Sequence, residues 1–266
     1  MAHAKLKNGD PVERPITLQD VITHTSGLGG SQTFSISLQE EARALANRPL
    51  DFQPGTKWQY SPGLNVVGAV IEIVSGQSLD EYLAERIFTP LKMNNTTFKP
   101  SEKQAKRLAV IYQPGEEDHS LKPDENFITN PRQPAPNPSG GLYSTARDLF
   151  RFYQMILNQG TFRGQRIVSA EAVRQMLSLQ TGELTTGFTP GNGWGLGWCL
   201  VQQPQGVTEM LSAGTFGHGG AFGTQGWVDP QTKTIYVLLI QRTKLPNSDA
   251  SDVRKAFQTE AARMIN

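Results

Sequence analysis

Three short segments carry the residue types that acyl chemistry needs. In Thr23-His24-Thr25-Ser26-Gly27-Leu28 an imidazole stands two residues from a hydroxyl, a candidate base near a candidate nucleophile. Neighbours so close in sequence rarely face each other, so the same residues also read as a helix end with a glycine turn. In Trp58-Gln59-Tyr60-Ser61-Pro62-Gly63 a tyrosine and a serine precede an apolar run. A phenol with an ordinary pKa near ~10 is a poor base at neutral pH, so Tyr60 would need a nearby ammonium to lower it. Lys57 is the lysine close along the chain; otherwise Tyr60 reads as a packed aromatic. In Phe216-Gly217-His218-Gly219-Gly220-Ala221 glycines surround a polar side chain, which lets a backbone approach a ligand closely. The plainer reading is a glycine-rich hairpin end.

These segments need elements to position them. Thr17-Leu-Gln-Asp20 fits a capping box opening a helix to about Thr23, and Ser37-Leu-Gln-Glu40 opens another to about Asn47. Leu64 to Gly76 has helical apolar spacing nearly all round, predicting a deeply buried helix ended by Gly76. Ser78-Leu-Asp-Glu81 opens a helix to about Phe88, stopped by Pro90. Residues 99–140, rich in Pro, Asn, Asp and Glu, read as a long surface excursion. Thr145 and Ser169 cap two further helices, to Asn158 and about Leu177. Trp194 to Val201, Gly223 to Val228 and Thr234 to Arg242 are β-rich, and an amphipathic helix over about Asp252 to Ile265 follows. Helices first, then antiparallel strands, then a final helix make an α+β plan. Residues 1–145 form its mainly helical region and 146–266 its helices, sheet and terminal helix, interleaved as one unit. Only three or four strands are expected, with no amino-terminal strand to complete the sheet.

Composition narrows the partners. The 266 residues carry a net charge of +1 with mixed signs, so no basic face points to nucleic acid or an anionic membrane. The longest strongly apolar run, Ile235 to Ile240, is far too short to span a bilayer. The first residues have no apolar stretch of the signal-peptide kind. The single cysteine, Cys199, sits in an apolar stretch and reads as a core residue, which leaves no Cys-based metal site. No cofactor is expected; the partner is a small-molecule substrate.

The order and spacing of the motifs are more specific than any one of them. Pro15-Ile-Thr-Leu-Gln-Asp-Val-Ile-Thr-His-Thr-Ser-Gly-Leu28, Tyr60-Ser61 before Val67 to Gly76, and Ile87-Phe-Thr-Pro-Leu-Lys-Met93 resemble the class C β-lactamase and family VIII esterase group. So do Gly140-Gly-Leu-Tyr-Ser-Thr-Ala-Arg-Asp148, Gly195-Leu-Gly197 and His218-Gly-Gly220. The resemblance runs over about residues 11–242. It implies a β-lactamase/transpeptidase-like fold, and hydrolysis of β-lactams, esters or D-amino-acid peptides through an acyl-enzyme on serine. It also implies a site with Tyr60, Ser61 and Ala221 as catalytic groups and Pro62, His218, Gly219 and Gly220 facing substrate. Tyr60 matches the tyrosine of the family's Tyr-x-Asn motif, and His218-Gly219-Gly220 matches its Lys-Thr-Gly box. The backbone N–H of Ala221 is then one oxyanion donor.

The sequence departs from that pattern in three ways. Pro62 stands where the motif has Asn, removing an amide that orients substrate. His218 replaces a lysine that pairs with a substrate carboxylate, favouring esters or small peptides over β-lactams. No serine among the 266 residues is followed three positions later by Lys, so the family's Ser-x-x-Lys nucleophile does not occur. Only about twenty residues precede the Thr23-His24 segment, so Met1 reads as an internal start of a longer relative. Ser61 and Ser26 are the candidate substitute nucleophiles; the alternative is a non-catalytic module that keeps the cleft. Without the nucleophile helix, the faces of Leu64 to Val74 and Ile235 to Ile240 lose a partner, and a two-fold homodimer is the favoured way to cover them.

Overall fold

Helices start where side chains can cap them, as the sequence predicts. In the computed structural model, residues 4–29, 37–115, 120–124, 135–245 and 247–265 are described. Thr17 and Asp20 close a reciprocal capping box on α1, Leu18–Ile22. Ser37 accepts from the Glu40 N–H to open α2, Leu38–Ala46. Helix α3, Gly63–Ser75, ends at Gly76 in the left-handed region with φ 70°. The Ser78–Glu81 box opens α4, Leu79–Leu83, which runs into a π-helical turn, Ala84–Phe88, before Pro90. Thr145, Ser169 and Ser251 cap α6 (Ala146–Leu157), α7 (Ala170–Met176) and α8 (Asp252–Arg263).

The excursion at 99–140 has structure of its own where it is described. Helix α5 spans Glu102–Ala105, and β1 (Tyr112–Pro114) pairs antiparallel with β2 (Leu121–Pro123). Its residues 116–119 and 125–134 lie outside the described residues. A two-residue hairpin, β3 (Thr161–Phe162) with β4 (Gln165–Arg166), follows α6.

The main sheet has five antiparallel strands in chain order, not three or four: β5 (Asn192–Trp194), β6 (Cys199–Val201), β7 (Phe216–Gly219), β8 (Gln225–Asp229) and β9 (Thr234–Leu238). The run from Trp194 to Val201 is two strands, folded back by the turn through Gly197 at φ 79°. The segment read as a hairpin end is itself β7; its glycines make room for the neighbouring strand, since a Cβ on Gly217 would strike Gly226 and Trp227.

Side chains alternate across this sheet. Leu200, Phe216 and Val228 face Met155, Ile156 and Val173 of α6 and α7. Cys199, Trp227 and Tyr236 face the other way, with Phe257 and Ala261 of α8 against them. Cys199 is thus a core residue, and burial raises its thiol pKa to about 12. A separate core joins α1, α2 and α3 through Val21, Leu45 and Val66. Helix α3 is not buried throughout, as its apolar spacing had predicted: Val66 and Ala69 are inside, but Ile73 is 65% and Val74 82% exposed. Among the described residues, no helix is long and apolar enough to cross a membrane.

Candidate active site

Three chain segments converge beside the end of β7. His24 follows α1 in a left-handed conformation, φ 62°, which turns its ring inward to 2% exposure. Its carbonyl accepts from the Gln59 N–H at 2.9 Å, which lashes the Trp58–Pro62 loop alongside. The two rings that this brings together, His24 and Tyr60, have centroids 4.5 Å apart. From the sheet, His218 reaches the same place, its ring 5.6 Å from that of Tyr60. Trp194 of β5 and Phe188 of the preceding loop close the cluster, 5.5 and 6.5 Å from His218.

Ser61 is buried, with its Oγ 3.3 Å from His24 Nδ1; its backbone N–H also donates to that nitrogen, at 3.2 Å. Burial, and then the charge of His218, lower the His24 pKa to about 4, so the ring is neutral at pH 7. The Tyr60 hydroxyl is raised instead, first by burial around the oxygen and then by the Asp249 carboxylate, although 45% of the residue is exposed. Lys57 is exposed and supplies no lowering, so Tyr60 is a protonated phenol at neutral pH.

The remaining residues singled out in the sequence take distinct places. Gly219 and Gly220 lie at and just past the end of β7, and Ala221 is exposed at the tip of the turn to β8, held by Gly220 N–H to Thr224 carbonyl at 2.8 Å. Pro62 caps α3 without a side-chain hydrogen bond, so no amide stands there. Ser26 is away from the cluster's contacts: it is fully buried, and its Oγ accepts from the Leu28 N–H at 3.2 Å.

Sequence reasoning missed three members. Phe188 and Trp194 join through packing alone. Asp249, buried on the loop before α8, has Oδ2 3.8 Å from His218 Nδ1. The glycines of the β7 end also serve a different purpose from the expected one. A Cβ on Gly219 would strike the Asp249 carboxylate, and one on Gly220 would strike Thr224. The space they keep open is filled by the protein's own side chains. Among the described residues, no cluster of three His, Cys, Asp or Glu is placed to hold a metal ion.

A family model described as beta-lactamase matches residues 3–261. The chain belongs to the beta-lactamase family. Its beta-lactamase relatives include Protein Rv1367c of Mycobacterium tuberculosis, 32% identical over 280 residues, covering 94% of this chain and 68% of the relative. Esterase EstB of Burkholderia gladioli is 30% identical over 270 residues, covering 88% of this chain and 66% of the esterase. The chain therefore spans about two thirds of the length of these curated relatives. Among solved structures, EstCE1, a hydrolase with promiscuous acyltransferase activity, superposes with a TM-score of 0.78 at 23% identity, over 97% of this chain and 74% of that one. This last likeness establishes the β-lactamase-type fold. The mixture of helices and antiparallel sheet in this chain is the α+β plan of that family.

Proposed function

We propose that the wall formed by Tyr60, His218 and the Gly219–Ala221 backbone is a substrate site of serine-hydrolase type. Its preferred substrates are small neutral esters or peptides rather than β-lactams. The observation that carries this reading is the approach of Tyr60 and His218 to 5.6 Å from segments more than 150 residues apart in sequence. The names of an esterase and of a hydrolase with acyltransferase activity among the similar proteins support it. Around this wall stand aromatic rings, and the fixed charge that acts on Tyr60 is the negative Asp249. A substrate carboxylate would meet no lysine at the position of His218, which favours uncharged substrates.

Turnover by this chain is slow or absent in this reading. No Ser-x-x-Lys occurs in the sequence, and loss of a serine nucleophile has cost about 10⁶-fold in a serine protease. Ser61 is the better placed substitute, because an imidazole nitrogen faces its hydroxyl. The second reading, a binding module that keeps the cleft without turnover, is favoured by the low basicity of that same imidazole. Short p-nitrophenyl esters and nitrocefin, assayed side by side, test the first reading. Slow ester release that falls at least tenfold in Tyr60→Phe and His218→Gln supports it. Nitrocefin turnover at the 1 to 10³ per second common for enzymes, ~10 per second at the median, would overturn it. No hydrolysis, together with saturable binding of a non-hydrolysable ester that His218→Gln abolishes, would establish the binding module.

We further propose that the chain self-associates as a two-fold dimer. The exposed Ile73 and Val74 at the end of α3, and the unpaired edge of β9, support this.

A further inference from the structure

The loop before α8 is fixed from several sides at once. Gln225 of β8, the register partner of Gly219, donates to the Ser248 carbonyl at 2.8 Å, and the Trp227 indole donates to Gln225 at 2.7 Å. The Asp249 N–H donates to Asn247 Oδ1 at 2.8 Å, and the Asp249 carbonyl accepts from Arg254 Nη1 at 2.8 Å. Arg254 is fully buried, its guanidinium 3.7 Å above the Trp227 ring, and its Nε donates to Gln258 at 3.0 Å. So much bonding for one short loop fixes where the Asp249 carboxylate points. Oδ1 occupies the space a Cβ on Gly219 would need, and Oδ2 lies 3.8 Å from His218 Nδ1.

Both groups facing His218 Nδ1 are acceptors: that carboxylate and the Gly219 carbonyl, which the nitrogen touches. A proton on Nδ1 satisfies them; a lone pair there would face two electron-rich oxygens. The other ring nitrogen, Nε2, is buried and has no hydrogen-bond partner in the protein. The remaining titratable and charged groups around the ring are the Tyr60 hydroxyl, neutral His24 and, behind Asp249, Arg254 at 4.0 Å from its Oδ1.

We propose that Asp249 is a positioning residue for His218. Its carboxylate holds the imidazole with the proton on Nδ1, which leaves Nε2 as the acceptor offered to a hydroxyl or amide of the substrate. A carboxylate behind a histidine fixes tautomer and ring orientation in this way wherever the other nitrogen must accept. His218 thereby differs in kind from a lysine at the same place, which can only donate. The assignment rests on the reading of Tyr60 and His218 as the substrate wall, but the tautomer can be read with no substrate present.

The test is a long-range proton–nitrogen NMR spectrum of the ¹⁵N-histidine-labelled full chain. It is recorded at about pH 8.5, above the ordinary histidine pKa of ~6.5, with His218→Gln to assign the ring. Wild type is expected to show a protonated Nδ1 and an unprotonated Nε2. Asp249→Asn should move both nitrogens toward the opposite tautomer, whereas Asp252→Asn, an exposed carboxylate on the same helix start, should move neither. A wild-type ring protonated on Nε2 overturns the proposal, and this spectrum decides even if Asp249→Asn does not fold. A folded Asp249→Asn that keeps the wild-type pattern also overturns it, because the Gly219 carbonyl alone then sets the tautomer. Loss of ester hydrolysis or ester binding with the tautomer as expected would count against the substrate wall and not against Asp249.

Discussion

The Ser61 hydroxyl and its own backbone N–H both address one nitrogen, His24 Nδ1, at 3.3 and 3.2 Å. That nitrogen is therefore an acceptor, and the neutral ring carries its proton on Nε2. The arrangement resembles a nucleophile and its base, but the base is already engaged by the N–H and is weakened by burial to a pKa of about 4. A general base works best with a pKa near the working pH. We expect a fluorophosphonate probe to label the chain slowly, at Ser61, as read by mass spectrometry of the digested adduct. Ser61→Ala should abolish the label and Ser26→Ala should not. Labelling that survives both substitutions would remove Ser61 and Ser26 as candidates.

His24 also sets a pH dependence of stability. Its folded pKa, about 4, lies below its ordinary value, so the unfolded chain binds the extra proton between about pH 6.5 and 4. Stability from this group is present above pH 6.5 and is lost as the pH falls toward 4. The gap corresponds to about 3 kcal/mol. Urea unfolding across that range should show the decline. His24→Asn, which tolerates the left-handed backbone at this position, should flatten it. An unchanged slope in His24→Asn would assign the acid sensitivity to other groups.

The sequence made the helices legible because their starts are local chemistry. Thr17 with Asp20, Ser78 with Glu81 and Ser101 with Gln104 each bond within three residues, so the pattern is visible without the fold. The motif order made Tyr60 and His218 legible as partners. The strand β7 was hidden, since Phe216-Gly-His-Gly219 lacks the β-branched residues that mark strands, and only pairing with β6 and β8 makes it one. Asp249 was hidden for a different reason. It lies thirty residues past Gly219 in a polar loop, and nothing local says that Gln225 and Arg254 aim it at His218. The His24–Ser61 contact was hidden in the same way, because it depends on the reversed backbone at His24.

Gly219 should be intolerant of any side chain for steric rather than conformational reasons. It has no left-handed φ, yet a Cβ would meet the Asp249 carboxylate, Gln225 Nε2 at 2.7 Å and Ser248 Oγ at 2.9 Å. These atoms are held by the bonds that fix the loop, so they cannot withdraw freely. Gly219→Ala should cost about 1 to 3 kcal/mol, the usual range for overpacking a tight interior. Gly140→Ala, with open space around its Cβ, should change stability by less than about 0.5 kcal/mol. Chemical denaturation of the two variants compares them directly. Equal stabilities would mean that the loop carrying Asp249 is looser than its hydrogen bonds imply.

Self-association can be bounded by magnitude. Ile73 is 65% and Val74 82% exposed, adjacent on the last turn of α3, and Leu239 just past β9 is 41% exposed. Single exposed apolar residues are ordinary on protein surfaces, but two large ones side by side at a helix end are the usual material of an interface. Fully burying an Ile or Val side chain is worth about 1.5 to 3 kcal/mol. A two-fold contact buries each residue twice, so Ile73 and Val74 together supply about 6 to 12 kcal/mol before association entropy is subtracted. A micromolar dimer requires about 8 kcal/mol net, and the entropic cost of association is at least about 4 kcal/mol. The dimer expected from this pair alone is therefore micromolar or weaker, with β9 edge pairing as the route to anything tighter. Light scattering from low to high micromolar concentration should show the mass rise from 29.2 kDa toward twice that value. Ile73→Lys with Val74→Glu should hold it at the monomer mass while leaving the unfolding midpoint nearly unchanged, because neither side chain is buried within the chain. A wild type that stays monomeric through high micromolar concentration, with cooperative unfolding and little binding of a hydrophobic dye, would show that this face needs no cover.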